Sequence, residues 1–225
     1  MPEKSIEQTV VIFDLDSTIT KKDTYVAFLL SILKAYPLRF FRCGFLPFAI
    51  LIHKAGIRDN SWLKETFLTT IAGGLSQSQL TACSDQFLEK LKKKGIRSKA
   101  LQKIQQHHDA NHKLILASAS FDFYVKKLGH QLGFDAIACT LSSWNKHNKL
   151  TGKIDGQNCY GKYKLKRLIE LLGNDKNTIT TIAYTDHHSD APLLEWVDKA
   201  IAVNPTQKLH RLALKKKYII ADWDD

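Results

Sequence analysis

Short, unbroken apolar runs alternate along the chain with longer stretches in which apolar residues recur every three or four positions. Four runs read as strands buried on both faces: Thr9 to Leu15, His112 to Ala117, Ile179 to Thr185 and Ala200 to Val203. Helical patterns lie between them, at Ser98 to Asp109, Phe121 to Leu132 and Lys162 to Leu172. This alternation predicts an α/β fold, a Rossmann-like parallel sheet with helices on both faces. Ligands of such sheets gather at the carboxyl ends of the strands. Polar residues follow three of the four runs directly.

One stretch breaks the alternation. From about Lys21 to Lys94 the pattern is helical throughout, and Ser76-Gln77-Ser78-Gln79 reads as a helix start with Leu80, Phe87, Leu88 and Leu91 on one face. It predicts a helical cap, residues 21–95, inserted after the first strand of a core formed by residues 1–20 and 96–225. Its most apolar part, Leu38 to Ile52, is interrupted by Arg39, Arg42 and Pro47. A bilayer crossing needs about 20 apolar residues, so this run does not span one. It reads either as a buried helix pair or as a lipid-facing surface edged by Lys34, Arg39, Arg42 and Lys54.

Composition narrows the class. With 225 residues, 44% hydrophobic and 24% charged, the chain can bury a core that needs no disulfides. Cys43, Cys83, Cys139 and Cys159 show no zinc spacing and read as free, buried thiols. The first eight residues lack an apolar secretory segment, so a cytoplasmic protein is expected. The net charge of +11 fits nucleic acid, an anionic membrane surface or a small anionic substrate. Its basic runs are scattered, and no nucleic-acid-binding motif accompanies them, which argues against nucleic acid.

Four segments carry candidate chemistry. Asp14 and Asp16 end the first strand, where alternation would send both side chains the same way and a cation beside them is expected. Ser118-Ala119-Ser120 ends the second strand; its hydroxyl and main-chain N–H groups suit a phosphate oxygen, or equally an ordinary helix cap. At the start of a helix, Lys162, Lys164 and Lys166 compete to neutralise phosphoryl charge. Asp186, then His187, His188 and Asp190, follow the third strand. Asp186 stands where a metal ligand would meet Asp14 and Asp16, whereas the histidine pair alone is thin support for zinc.

In this order the segments resemble the haloacid dehalogenase superfamily of phosphohydrolases, and more closely its subfamily IB, which is phosphoserine phosphatase-like. Supporting the closer likeness are Asp23 near the entrance, Ser118-Ala119-Ser120, Asn158-Cys159-Tyr160-Gly161 with Lys164, and Asp190-Ala191-Pro192-Leu193-Leu194-Glu195 before Ala202-Val203-Asn204-Pro205. The resemblance implies that Asp14 is a nucleophile forming an aspartyl phosphate and that Asp16 is the acid and base. It implies magnesium held by Asp14, the Asp16 carbonyl and Asp186, with phosphate held by Ser118, Ala119 and Lys164. Asp190 would orient Lys164 or a metal-bound water. A small phosphate ester is the expected substrate. A phosphatidylglycerophosphate-type lipid, with peripheral membrane contact, and a phosphotransferase reaction are the alternatives. The sequence departs from the family in reading Thr185-Asp186-His187 where Gly-Asp-Ser is common, and its cap offers no segment matching a serine-recognising one.

Overall fold

The computed structural model describes residues 8–173 and 178–224. The expectation of no secretory leader rests on the first residues, of which 1–7 lie outside this range. Seven strands form one sheet in the order β4-β3-β2-β1-β5-β6-β7: β1 (Gln8–Asp14), β2 (Lys113–Phe121), β3 (Ala136–Trp144), β4 (Leu150–Asp155), β5 (Ile179–Thr185), β6 (Lys199–Val203) and β7 (Ile219–Ala221). All neighbours are parallel except β3 and β4. Val10 to Phe13 are buried on both faces of the sheet, which explains the unbroken apolar run at β1.

The chain winds from β1 outward through β2 to β3, then returns to β5 on the other side of β1 and continues to β6 and β7. The carboxyl end of β1 is therefore the switch point where a crevice opens. Asp14 is the last residue of β1 and Asp186 follows the last residue of β5, so the pairing Phe13↔Tyr184 sets Asp186 one residue beyond the level of Asp14.

Helices α1 (Thr24–Ala35), α2 (Leu46–Lys54), α3 (Asn60–Ala72) and α4 (Gln77–Lys94), with a 3-10 helix at Pro37–Phe45, fill the stretch after β1. Thr20 and Ile96 pair in an antiparallel bridge where the chain leaves and re-enters the core. Local chemistry sets the helix starts. The Asp23 side chain accepts from the Val26 amide and that of Asp59 from the Trp62 amide, while Ser76 and Gln79 cap α4 reciprocally. Phe28, Ile32, Leu68 and Leu88 pack into the same hydrophobic cluster as Phe13, Phe121 and Tyr124, so these helices share a core with one face of the sheet. The remaining helices are α5 (Ser98–Asp109), α6 (Asp122–Gln131), α7 (Lys162–Leu172), α8 (Ala191–Trp196) and α9 (Gln207–Lys216). α7 and α9 place Leu168, Leu209 and Ala213 against the other face.

The expected Rossmann-like parallel sheet with helices on both faces is found, with β4 antiparallel at its edge. Two expectations are corrected. The sequence suggested four strands and the sheet has seven; β3, β4 and β7 lack a long apolar run. The run Leu38 to Ile52 is not a buried helix pair, since only Leu46 and Ala49 are buried while Phe41 is 85% and Phe48 61% exposed.

Candidate active site

Chain geometry at the end of β1 separates its two carboxylates. The strand ends at Asp14, Asp16 takes an extended backbone again, and Ser17 turns the chain at φ +60°. Asp14 points to α7, where Lys164 Nζ donates to its Oδ1 at 2.6 Å. Asp16 points toward α1: its Oδ1 accepts from the Thr24 amide (2.7 Å) and hydroxyl (2.5 Å), and its Oδ2 from the hydroxyls of Ser120 (2.8 Å) and Ser118 (3.4 Å). The two side chains thus face different surroundings, because the strand on which alternation depended ends at Asp14. With both carboxylate oxygens of Asp16 engaged by hydroxyl and amide donors, its main-chain carbonyl is the group it has to offer a metal.

Lys164 is buried between two carboxylates, with Asp190 Oδ2 at 2.7 Å as its second partner. Thr185 donates to the same Asp190 oxygen at 2.8 Å. Burial opposes the charge on Lys164, but Asp14 and Asp190 outweigh it and hold the ammonium well above its ordinary pKa. Gly161 makes the turn into α7 at φ +56°, a conformation other residues rarely adopt, three residues before this lysine. The three-way competition is resolved structurally: Lys162 and Lys166 are exposed and only Lys164 enters the cluster.

Ser118 is buried, but it does not cap a helix. β2 continues to Phe121, and α6 starts beyond it without a side-chain cap. Between Ser118 and Phe121 the pairing with β3 shifts, so Ala119 and Ser120 form a bulge at the cavity. The Ser118 hydroxyl accepts from the Ser120 amide at 3.0 Å, and the Ala119 carbonyl accepts from the Thr140 hydroxyl at 2.6 Å.

A cavity of about 270 Å³ brings together Asp14, Asp16, Asp23, Ala119, Lys164, Asp186, His187 and Asp190. Its carboxylates outnumber its ammonium groups by five to one. Burial, then Lys164 acting against it and Asp190, Asp186 and Asp16 acting with it, leave Asp14 with a pKa well above the carboxylate range. Burial and Asp190 push Asp186 up to about 7. The Thr18 hydroxyl lies 3.4 Å from Asp14 Oδ2 and 3.3 Å from Asp186 Oδ1, so these two oxygens face a common space. Asp190 Oδ1 is buried without a hydrogen-bond partner among the described residues. Excess buried negative charge, converging carboxylate oxygens and an orphaned acceptor fit a hard divalent cation such as magnesium. The donors would be Asp14, Asp186 and the Asp16 carbonyl. Among the described residues no three His, Cys, Asp or Glu side chains form a metal cage; magnesium, which keeps waters and substrate oxygens, needs none. His187 instead accepts from the Ser189 amide at 3.2 Å and meets its hydroxyl at 2.9 Å.

A second cavity of about 230 Å³ adjoins the first, sharing Asp16, Asp23, Asn60, Ala119 and Tyr160. Tyr25, Val26, Leu63 and Phe67 give it apolar walls, and Lys64 reaches into it from α3. Lys64 is buried, donates to the Ala119 carbonyl and to Asn158 Oδ1 (3.2 Å), and lies over the rings of Tyr25 and Phe121. Burial lowers its pKa to about 8 against the pull of Asp16 and Asp23. Sequence reasoning missed Lys64, though it occupies the buried helical stripe of Leu68, Ile71 and Ala72. It also missed the hydroxyls of Thr18, Thr24 and Thr185, which carry no signal in sequence.

The description of haloacid dehalogenase-like hydrolases matches residues 11–195, and the chain belongs to that family. Among its relatives is the "Inhibition of morphological differentiation protein" of Streptomyces azureus, 26% identical over 97% of this chain and 80% of that protein. A "probable phosphatase" of Mycobacterium tuberculosis is 26% identical, over 92% of this chain and 72% of its own length. The structure of a probable phosphoserine phosphatase from Vibrio cholerae superposes with a TM-score of 0.70 at 15% identity, covering 91% of this chain and 58% of that one. The fold is thus that of the phosphoserine phosphatase-like hydrolases.

Proposed function

We propose that this enzyme is a magnesium-dependent phosphatase that hydrolyses a phosphate monoester through an aspartyl-phosphate intermediate on Asp14. The observation that carries the reading is the buried triad in which Lys164 bridges Asp14 and Asp190 beside an acid-rich cavity. Lys164, with Ser118 and Ala119 at the end of β2, binds the phosphoryl oxygens, and Lys164 offsets charge as the ester approaches the carboxylate. Asp14 attacks phosphorus as the bond to the leaving oxygen breaks, and Asp16 gives that oxygen a proton. Asp16 then takes a proton from water as the water attacks the acyl phosphate, releasing inorganic phosphate and restoring Asp14. A bound magnesium ion would screen charge between the phosphoryl group and the carboxylates.

Asp16 lines both cavities, so phosphate in one and leaving group in the other would put the ester oxygen beside its acid. The second cavity suits a small leaving group, with Asp23 and Lys64 available to groups of opposite charge. The name of the Mycobacterium tuberculosis relative and the fold of the Vibrio cholerae protein support the phosphatase chemistry. Four free cysteines suit a reducing, cytoplasmic setting. Turnover of p-nitrophenyl phosphate with magnesium and with EDTA tests the reading. Asp14→Asn should abolish hydrolysis while circular dichroism stays native; hydrolysis retained in that variant sinks the mechanism.

A further inference from the structure

The 3-10 helix and α2 leave their apolar side chains in solvent. Among the described residues, seven of the seventeen exposed large hydrophobic ones fall within the fourteen positions 38–51. Leu38 is 79%, Phe41 85%, Phe48 61% and Leu51 62% exposed, and Ile57 follows at 71%. Soluble surfaces scatter such residues singly; a run of them marks an interaction site. The segment is firmly held. Leu46 and Ala49 fix α2 to the core, and Arg39 donates to the carbonyls of Ile71 and Gly73 at 2.9 Å each. The rings of Phe45 and Phe48 stack against each other, facing outward.

Charge identifies what covers this surface. Between Asp23 and Asp59 the chain carries no Asp or Glu, while Lys34, Arg39, Arg42, Lys54 and Arg58 fall inside that interval. Arg42, Lys54 and Arg58 are exposed around the apolar residues. A second copy of this chain would bring the same cations face to face in a two-fold interface, which disfavours self-association. An apolar centre whose own segment carries cations and no acids instead complements a bilayer whose headgroups are anionic. No helix among the described residues is long and apolar enough to cross a membrane, so the contact is interfacial.

We propose that residues 38–58 dock the enzyme on an anionic lipid bilayer, with Phe41, Phe48 and Leu51 entering the headgroup region and Lys54 and Arg58 facing lipid phosphates. Asn60 and Leu63, just beyond this segment, line the cavity beside Asp16, so docking holds the mouth of the site near the membrane surface.

Flotation of the purified full chain with phosphatidylcholine vesicles, with and without phosphatidylglycerol, tests the proposal independently of the catalytic mechanism. The expected result is binding to the anionic vesicles that weakens as salt is raised. Phe41→Ser with Phe48→Ser should lower partitioning roughly tenfold or more, and Lys54→Glu with Arg58→Glu should do the same. Both double variants should keep wild-type turnover of p-nitrophenyl phosphate and a native melting temperature, which excludes misfolding as the cause. The proposal is overturned if wild type fails to float with anionic vesicles or if the variants float equally well. Light scattering that shows a dimer dissolved by Phe41→Ser with Phe48→Ser, without vesicle binding, would assign the surface to a second copy instead.

Discussion

Replacing Asp186 with Asn should stabilise the metal-free enzyme while removing its response to magnesium. Asp186 sits at the end of β5 with Asp190 nearby, and burial is the main reason its carboxyl is pushed up to about 7 from an ordinary 3.8. In the metal-free enzyme, the folded state therefore holds a proton that the unfolded state releases between these values. Where the folded state binds more protons, stability falls as pH rises. The loss from this group begins near pH 4 and is complete above about pH 7. At 1.36 kcal/mol per unit the full loss is about 4 kcal/mol. An amide escapes it but must itself be buried with hydrogen bonds that match less well, which leaves a gain of about 2 kcal/mol at pH 8. For a chain of this length that gain raises Tm by roughly 4–8 °C. Calorimetry in EDTA at pH 8 and pH 5 should show a larger gap between variant and wild type at the higher pH. Magnesium at a hundredfold over its Kd should then stabilise wild type by about 2.7 kcal/mol and the variant far less. A variant less stable than wild type in EDTA, or an undiminished magnesium response, refutes this account of the carboxylate cluster.

Lys64→Met should raise KM about tenfold for esters with an anionic leaving group, through loss of a buried ammonium donor. In wild type the same KM should rise above pH 8 as Lys64 loses its proton, a dependence absent from the variant; parallel pH profiles in the two proteins would rule out this role. Gly152→Ala should cost about 2–4 kcal/mol, because the added Cβ would stand 2.3 Å from the Thr69 main chain at φ +84°, where β4 packs on α3. A Tm within about 2 °C of wild type, where at least 4 °C is expected, would contradict that packing.

The elements legible in sequence are those whose burial is uniform. β1 and β5 are covered on both faces, so their apolar runs need no tertiary information to be recognised. Helices α5 and α7 present single apolar stripes, and their residue ranges match the sequence reading. By contrast β3 (Ala136–Trp144) is only partly covered beyond Thr140 and mixes Ser142, Ser143 and Trp144 into its run, while β4 is an edge strand. Such strands owe their pairing to neighbours, and their own pattern is weak. For Phe41 and Phe48 the sequence left burial and a lipid-facing surface both open, since apolar pattern reports preference for burial and not whether the protein itself supplies the cover.

The same contrast governs the site. Asp14, Asp186 and Asp190 were visible because strand ends and helix starts in a parallel sheet converge by topology, whereas Lys164 was singled out from Lys162 and Lys166 only by the family resemblance. The different partners of Asp14 and Asp16 depend on where β1 ends. Had β1 run on past Asp16, both carboxylates would project from one face and repel each other beside Lys164. Because the strand stops at Asp14 and the backbone leaves it at Leu15, alternation no longer holds at Asp16, whose side chain meets Thr24 and Ser120. These donors tie Asp16 to the wall shared by the two cavities, while the ammonium of Lys164 stays with Asp14. In the proposed mechanism this divergence is what sets nucleophile and acid around the scissile bond. Phosphorus faces Asp14 on the phosphate side, and the leaving oxygen faces Asp16 on the side lined by α1 and α3. In that mechanism the two neighbouring carboxylates take opposed tasks, and the end of β1 at Asp14 makes them compatible.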